Sequence, residues 1–530
     1  MRYRLARIVA ACASVTLLAG CFKADEAPVF PATLDVGSRT YITAPQLRPP
    51  VVAPMLFLES ATPGSLLLSI EPPARVAEGG ANSDGDSDDE GSADENSADE
   101  NSADDTDMAQ PGALLASGKG EPIWFLPAPE DAEIRAPKVQ QLDGQPVLTY
   151  WRGTSNGGEF VVLGANYGET RFVRAANGLT AAPRDMQITA NGTAWLIATP
   201  VVETVIDGVE RAMRTAVLQE ISLQNGAVLF QWDALEHIPA ADSEVAAPED
   251  PAEPWDYLGI VGLSVADDGD VLITGHNTGA IYRIDRDSGE LAWRLGGKAS
   301  DFVVEGDAEF DWPRDARLLP GGRLSVFDGA ARDAHRGLTA EQLEEAEDAD
   351  EEPAAPPESR GLVLDINEVD RTASVAESFP HPFGWSSPGA GSHQVLPNGN
   401  SLVTWGEQGA ITEFAPSGEI VRHLVFPASL RSSGAELVEW SGAPFVPPVV
   451  DARADNRSTR VSVSWNGATQ VRRWRVWAGP SEDELEVVRT VPREGFETEA
   501  IIDGAFDVVR VDALDVIGET IGSSAVTPVD

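Results

Sequence analysis

Asp268-Gly269-Asp270-Val271-Leu272-Ile273-Thr274 runs from a turn into a short strand. Ala280-Ile281-Tyr282-Arg283-Ile284-Asp285 supplies a second, and Ser288-Gly289-Glu290-Leu291-Ala292-Trp293 opens a third through a glycine turn. The same order returns at Pro397-Asn398-Gly399-Asn400-Ser401-Leu402-Val403-Thr404, then Ala410-Ile411-Thr412-Glu413-Phe414, then Ser417-Gly418-Glu419-Ile420-Val421. Partial copies begin near Asn191-Gly192 and Pro320-Gly321-Gly322. Each strand is apolar and β-branched, and each is bounded by Gly, Asn, Asp or Ser. An antiparallel meander repeated at this length is the pattern of a β-propeller blade, in which neighbouring sheets bury one another and leave a channel on the axis. The repeat therefore predicts an all-β chain.

Outward from the repeat the pattern continues. Ile123-Trp124-Phe125-Leu126, Val147-Leu148-Thr149-Tyr150-Trp151 and Phe160-Val161-Val162-Leu163 read as further strands, and no long segment of helical period occurs outside the N-terminus. Trp124, Trp151, Trp195, Trp293 and Trp405 fall where strand cores are expected. After Pro444 the character changes: Pro447-Pro448 reads as a linker, and alternating strands follow at 461–465, 474–478, 485–488 and 508–511. They predict a C-terminal β-sandwich, fibronectin-III-like, over 444–530. The β-propeller is placed at 113–443, preceded by an N-terminal β/linker segment over 21–75. Two stretches, 76–112 and 339–358, are dominated by Asp, Glu, Ser, Asn and Ala. They hold too little apolar area to offset their ordering entropy and read as a disordered insert and a solvated loop.

Residues 1–20 read as a lipoprotein signal peptide. Arg2, Arg4 and Arg7 precede the short apolar run Ile8–Leu18, and Leu18-Ala19-Gly20-Cys21 follows. Cys21 is the expected lipidation site, anchoring a mature chain to a membrane. Phe22, not Asp, follows it, which favours the outer membrane, periplasm or cell surface. The only other cysteine, Cys12, lies within the signal, so the mature chain offers no thiol pair for a disulfide or a metal. Formal net charge is -47. Such a surface repels phosphates and argues against a nucleic-acid partner. Phosphate-loop and zinc-type patterns are absent, and the sequence implies no cofactor.

Several motifs together resemble the bacterial and fungal arylsulfotransferase family. They are Ile281-Tyr282-Arg283-Ile284-Asp285 with Ser288 through Gly297, Asp315-Ala316-Arg317, Phe327-Asp328-Gly329-Ala330, Ser359 through Asp365, and Leu396-Pro397-Asn398-Gly399-Asn400. Trp465-Asn466-Gly467-Ala468-Thr469 and Gly495-Phe496-Glu497-Thr498 extend the likeness, which runs from about Arg48 to the end apart from the acidic stretches. The resemblance implies a six-bladed propeller. It also implies sulfuryl transfer from a phenolic sulfate ester to a phenol, without a nucleotide donor. A channel histidine would accept the group, with further His and Arg residues around it. The chemistry suits those residue types: cationic donors meet an anionic group, and imidazole can serve as nucleophile and proton donor.

The sequence departs from that pattern where the histidines should stand. Arg184-Asp185-Met186, Gly259-Ile260-Val261-Gly262-Leu263 and Pro313-Arg314-Asp315-Ala316-Arg317 occupy the three motifs, so Arg184, Gly259 and Arg314 replace imidazole. A guanidinium holds an oxyanion but offers no lone pair for attack. His276, beside Asn277, is the catalytic candidate that remains, with Arg314 and Arg317. His393 is a further candidate, while His237, His381 and His423 read as surface or packing residues. Arg184, Arg314 and Arg317 form a cationic cluster if their segments converge, or else each pairs with a neighbour such as Asp185 or Asp315. Asp328 reads as fixing a turn. Two functions follow: a transferase with a rearranged site, or a non-catalytic propeller that binds an anionic aromatic ligand or a protein partner at the outer membrane; a small aromatic sulfate or a phenol is the expected small-molecule partner.

Overall fold

Strands dominate because short β-branched runs alternate with glycine and Asx turns. A computed structural model describes residues 37–72, 108–330, 358–427 and 429–530, all within one compact unit. The signal segment, Cys21, residues 76–107 and residues 339–357 lie outside the described residues. The chain is all-β. Among the described residues the longest helix is Ala234–His237, whose N-terminus is capped by the Asp233 side chain accepting from the Leu235 amide.

Each copy of the repeat is an antiparallel meander. Ile260–Val265, Val271–Gly275, Ala280–Ile284 and Leu291–Gly296 pair in chain order. So do Arg314–Leu319, Arg323–Asp328, Arg360–Asn367 and Thr372–Pro380, with Val303–Val304 parallel to the last. Gly391–Val395, Ser401–Trp405, Ala410–Phe414 and Ile420–Val425 form a third meander. Its outer edge is completed by Ala53–Phe57, from the early chain. Conversely, the late strand Ala435–Val438 completes Ser65–Ile70, Gly112–Ser117 and Pro122–Pro127. Early and late segments are thus interleaved in two sheets. The remaining strands form two halves, Glu133–Leu142 to Glu169–Val173 and Ala181–Ile188 to Val228–Asp233, with the hairpin Val201–Ile206/Val209–Arg214 beside the second. Gly158 opposite Ala181 is the one register pair between the halves.

The first strands of these sheets pack side by side. Glu133–Leu142 meets Ala181–Ile188, which meets Ile260–Val265, then Arg314–Leu319, Gly391–Val395 and Ala435–Val438. Ser65–Ile70, paired with the last of these, returns to Glu133–Leu142. Apart from Ser65–Ile70 and Ala435–Val438, neighbouring central strands share no backbone ladder. Gln140 instead donates to the Met186 carbonyl and accepts from the Ile188 amide, at 3.2 and 2.7 Å. Gln394 does the same to the Leu437 carbonyl and amide, at 3.2 and 2.8 Å. Apolar faces fill the space between neighbouring sheets. Leu272, Ile281, Trp293 and Leu295 pack with Ala316, Leu324, Val326, Leu362 and Leu364 of the next sheet in one cluster.

Beyond residue 448, Val449–Asp455, Ser458–Ser464 and Glu497–Asp503 form one sheet, and Arg473–Gly479, Glu486–Pro492, Val508–Leu514 and Thr520–Ser523 another. Both contribute to a single core around Trp465 and Trp474. This segment is tied back by Asn466, which accepts from the Phe125 amide at 2.9 Å and donates to its carbonyl at 3.0 Å.

One buried ion pair sits away from the central strands. Glu413 and Arg422 face each other on adjacent strands, 3.3 Å apart, with fully buried side chains. Glu413 also accepts from the Thr62 amide, the Thr62 hydroxyl and Asn400. Removing one member of such a pair strands the other's charge. Glu413→Leu is expected to cost about 3–5 kcal/mol in urea unfolding, and Glu413→Leu/Arg422→Met to recover part of it. A single variant as stable as the parent would contradict this account.

Candidate functional site

Two β-bulges shape the space between the central strands. Arg135 stands opposite Trp151 and Lys138 opposite Thr149, so three steps on one strand match two on its partner. Arg314 and Arg317 stand opposite Phe327 and Ser325 in the same way. Residues three apart on a regular strand point to opposite faces; one extra residue restores them to the same face. Ala136 and Asp315 absorb the irregularity at φ +46° and +52°. The second bulge thereby puts both Arg314 and Arg317 on the cavity wall, while the first puts Lys138 there and leaves Arg135 outside the lining.

The cavity, with about 110 Å³ open to the centres of water molecules, is lined by Lys138, Arg184, Asp185, Arg314, Asp315, Arg317, Glu436 and three serines. Two of the four lining cations are paired with carboxylates. Lys138 lies 2.7 Å from Asp185. Arg317 lies 2.8 Å from Asp315 and 2.9 Å from Glu436. Just beyond, buried Glu71 pairs with both Arg135 and Arg431. The Asp185 carboxylate also accepts from the Leu263 amide, and Asp315 from the His393 amide, each at 3.2 Å. Burial drives Asp185 upward, but Lys138, Arg317 and the Leu263 amide hold it below the ordinary carboxylate range. Burial lifts Asp315 above that range despite Arg317 and Lys138, because Asp185 and Glu436 are close. Arg317 is raised, chiefly by Asp315.

Arg184 and Arg314 differ from the rest. Arg184 Nε donates to the Ile260 carbonyl at 3.0 Å, and Arg314 Nε to the Pro388 carbonyl at 3.1 Å. Among the described residues neither is in an ion pair. Both touch the cavity's solvent, yet protein crowds them. Burial and neighbouring guanidiniums push Arg314 down to about 9, with Arg184 the nearest repelling charge. Burial likewise lowers Arg184, opposed by Asp256 and Asp185. Two guanidiniums fixed through Nε and outside any ion pair among the described residues present planar N–H donors of the kind that an oxyanion accepts.

The structure brings Arg184, Arg314, Asp315 and Arg317 together on this cavity. Of the two sequence expectations for the arginines, Arg317 takes the paired one and Arg184 and Arg314 the unpaired one. His276, Asn277, Asp328 and His393 are not on the lining. His276 is buried against Trp312, ring centroids 4.1 Å apart. Asn277 donates to the Asp256 carbonyl at 2.5 Å. Asp328 accepts from the Asp311 and Ala330 amides, both at 3.0 Å, and from Arg360. The His393 ring is fully buried, with Nδ1 3.1 Å from the Leu362 carbonyl and Nε2 3.0 Å from the Ser401 hydroxyl. Burial holds it neutral, pushed down to about 4. Lys138, Glu436, Arg135, Arg431 and Glu71 were not singled out by sequence. Only Ala136-Pro137, a break within a strand and between two cations, offered a signal for two of them.

The family model described as Arylsulfotransferase (ASST) matches residues 138–427, more than half of the chain. The chain belongs to the arylsulfotransferase family. Among solved structures, a protein of unknown function from Bacteroides caccae is 11% identical, covering 71% of this chain and 98% of its own at TM-score 0.39. Virginiamycin B lyase from Staphylococcus aureus is 10% identical over 72% and 95%, at TM-score 0.29. Hsv2 from Kluyveromyces lactis is 11% identical over 62% and 93%, at TM-score 0.30. Similarity at this level bears on neither activity nor substrate. No curated protein matches the chain.

In this arylsulfotransferase relative, the glycine at one motif position is built into the backbone. Gly259 has φ +57°, and a Cβ there would stand 2.6 Å from the Asn277 side chain. The left-handed conformation alone costs a non-glycine residue about 1–2 kcal/mol. Gly259→Ala is expected to destabilise by at least that amount in chemical denaturation, and Asn277→Ala in the same chain to relieve part of the loss. Unchanged stability would show that the Asn277 contact does not constrain this position.

Proposed function

We propose that this arylsulfotransferase family member is an anion receptor whose central cavity takes the sulfate group of an aryl sulfate between Arg184 and Arg314, without carrying a sulfuryl group covalently. One observation carries the reading: among the described residues, the lining presents guanidinium, ammonium, carboxylate and hydroxyl groups but no imidazole. At neutral pH a guanidinium is protonated and has no free pair to attack sulfur. It supplies paired N–H donors in a plane, which suits a sulfate edge. The seryl hydroxyls on the lining are hydrogen-bonding partners; no general base of the histidine type stands among them to activate one.

The architecture that frames this cavity is part of the same proposal. The meanders are read as six propeller blades around an axis, with the central strands innermost and the cavity on the axis. The interleaving of early and late strands supports it, since such closure joins the ends of a ring. The segment over 444–530 is read as a β-sandwich docked on the outside. The lipobox ending at Cys21 supports a lipid-anchored receptor at the outer membrane or cell surface, where a small aromatic sulfate could reach it. The chain's acidity leaves nucleic acid an unfavourable partner.

Calorimetry with 4-nitrophenyl sulfate tests the reading. Saturable binding is expected, weakened about tenfold or more by Arg184→Ala or Arg314→Ala, since a charge-assisted bond contributes about 1.5–3 kcal/mol. No nitrophenol release above a blank is expected with a phenol acceptor. Turnover, or a covalently sulfated side chain, would defeat the proposal.

Affinity also carries a pH signature. Burial and the neighbouring Arg184 push the Arg314 guanidinium down to about 9 while the cavity holds no anion. A bound anion stabilises the charged form and raises that value, so above about pH 9 binding must take up a proton. Affinity for 4-nitrophenyl sulfate is therefore expected to be level from about pH 6 to 8 and to fall as pH rises through about 9. An affinity that holds or rises to pH 10.5 would contradict this assignment.

A further inference from the structure

Arg314 is oriented by the Pro388 carbonyl, so whatever fixes that carbonyl fixes the guanidinium. Pro388 sits in a segment between Thr372–Pro380 and Gly391–Val395 that has no strand of its own. Its conformation is held from several sides. The Trp385 carbonyl accepts from the Ser359 amide at 2.9 Å. The Ser387 amide donates to the Ser359 hydroxyl at 2.7 Å, and the Ser387 hydroxyl to the Ala390 carbonyl at 2.6 Å. The Glu407 amide donates to the Ser387 hydroxyl, and Glu407 accepts from the Gly389 amide, both at 3.0 Å. Gln408 donates to the Ser386 carbonyl at 2.8 Å.

Under this network lies a face-to-face stack. The His381 and Trp385 rings are 3.6 Å apart at 5°, with the Trp405 ring 5.3 Å from His381 at 75°. His381 is 2% exposed. Its Nδ1 accepts from the Phe383 amide at 3.2 Å, so the neutral ring carries its proton on Nε2. That Nε2 is buried and has no hydrogen-bond partner among the described residues. Leaving it so is unfavourable, and the flat contact with Trp385 is what the ring provides in return.

We infer that Trp385, stacked on His381, is a positioning residue for the anion site: it fixes the course of residues 385–390 and hence the Pro388 carbonyl that aims Arg314. The inference rests on the anion-receptor reading above. Trp385 does not line the cavity, so its influence on binding must pass through Arg314.

A double-mutant cycle read by 4-nitrophenyl sulfate calorimetry tests it. Trp385→Ala is expected to weaken binding about tenfold, Trp385→Phe to keep it within about threefold, and Trp385→Ala/Arg314→Ala to bind no more weakly than Arg314→Ala alone. Asn466→Ala, which loosens a distant contact, should bind as the parent does. Parental affinity in Trp385→Ala, or losses that simply add in the double variant, would overturn the inference. Should Trp385→Ala not fold, Ser387→Ala removes the hydroxyl bonds of the same segment. It is expected to weaken binding about threefold in the parent and not at all on the Arg314→Ala background; equal effects in both would overturn it. If Arg314→Ala itself binds like the parent, the anion-receptor reading fails first and takes this inference with it.

Discussion

Except where Ala435–Val438 pairs with Ser65–Ile70, the central strands pack side by side without sharing a ladder, and side chains must satisfy the backbone groups that a ladder would have satisfied. A primary amide offers one donor and one acceptor in a plane, which matches the N–H and C=O of a neighbouring strand. Gln140 and Gln394 use both, and Gln187 bonds the Val265 amide and carbonyl in the same manner, at 2.8 and 3.4 Å. A carboxylate does half of this work at two places, Asp185 for the Leu263 amide at the same junction as Gln187, and Asp315 for the His393 amide at another. A buried amide left without an acceptor costs about 1–3 kcal/mol, so these side chains set the spacing of the sheets as firmly as the apolar clusters between them.

Using carboxylates as bridges has an electrostatic consequence. Asp185 and Asp315 are crowded by protein and lie close enough to raise the Asp315 pKa, so each needs a cation beside it. Lys138 and Arg317 answer that need and are thereby consumed by the scaffold. Glu71 likewise occupies Arg135 and Arg431. What the scaffold does not neutralise is Arg184 and Arg314. In a chain of formal charge -47, two guanidiniums without a carboxylate partner are a local reversal of sign. Their mutual repulsion is tolerable while solvent reaches them and is relieved by an anion.

The sequence reveals the periodic part of this design and hides the convergent part. Turn residues and alternating apolar positions at 268–293 and 397–421 are local signals, and strands form there. Arg314 and Arg317 look equivalent in the sequence, yet one is paired and the other is not. The difference lies in a bulge and in partners from distant strands, Glu436 for Arg317 and the Pro388 carbonyl for Arg314. Lys138 belongs to no motif, and Glu436 and Arg431 come from the far end of the chain. His393 shows the opposite failure. Gly361, whose absent side chain leaves room for the ring, draws that imidazole into the core beside the Leu362 carbonyl.

The missing imidazoles are not three isolated exchanges. At Gly259 the left-handed backbone and the Asn277 amide fill the place where a side chain would begin. The Gly259 amide is in turn held by Asp256, at 2.9 Å, and Asp256 is the leading opposite charge acting on Arg184. Arg184 reaches over to the Ile260 carbonyl, one residue beyond Gly259. The glycine, the carboxylate and the guanidinium therefore form one arrangement: the first lets the strand begin where its carbonyl can receive the third, and the second offsets part of the third's burial. Restoring a histidine at either position would remove a support of the other. The position of Arg184 at the cavity is thus set by the backbone at Gly259 and Ile260 as much as by its own strand.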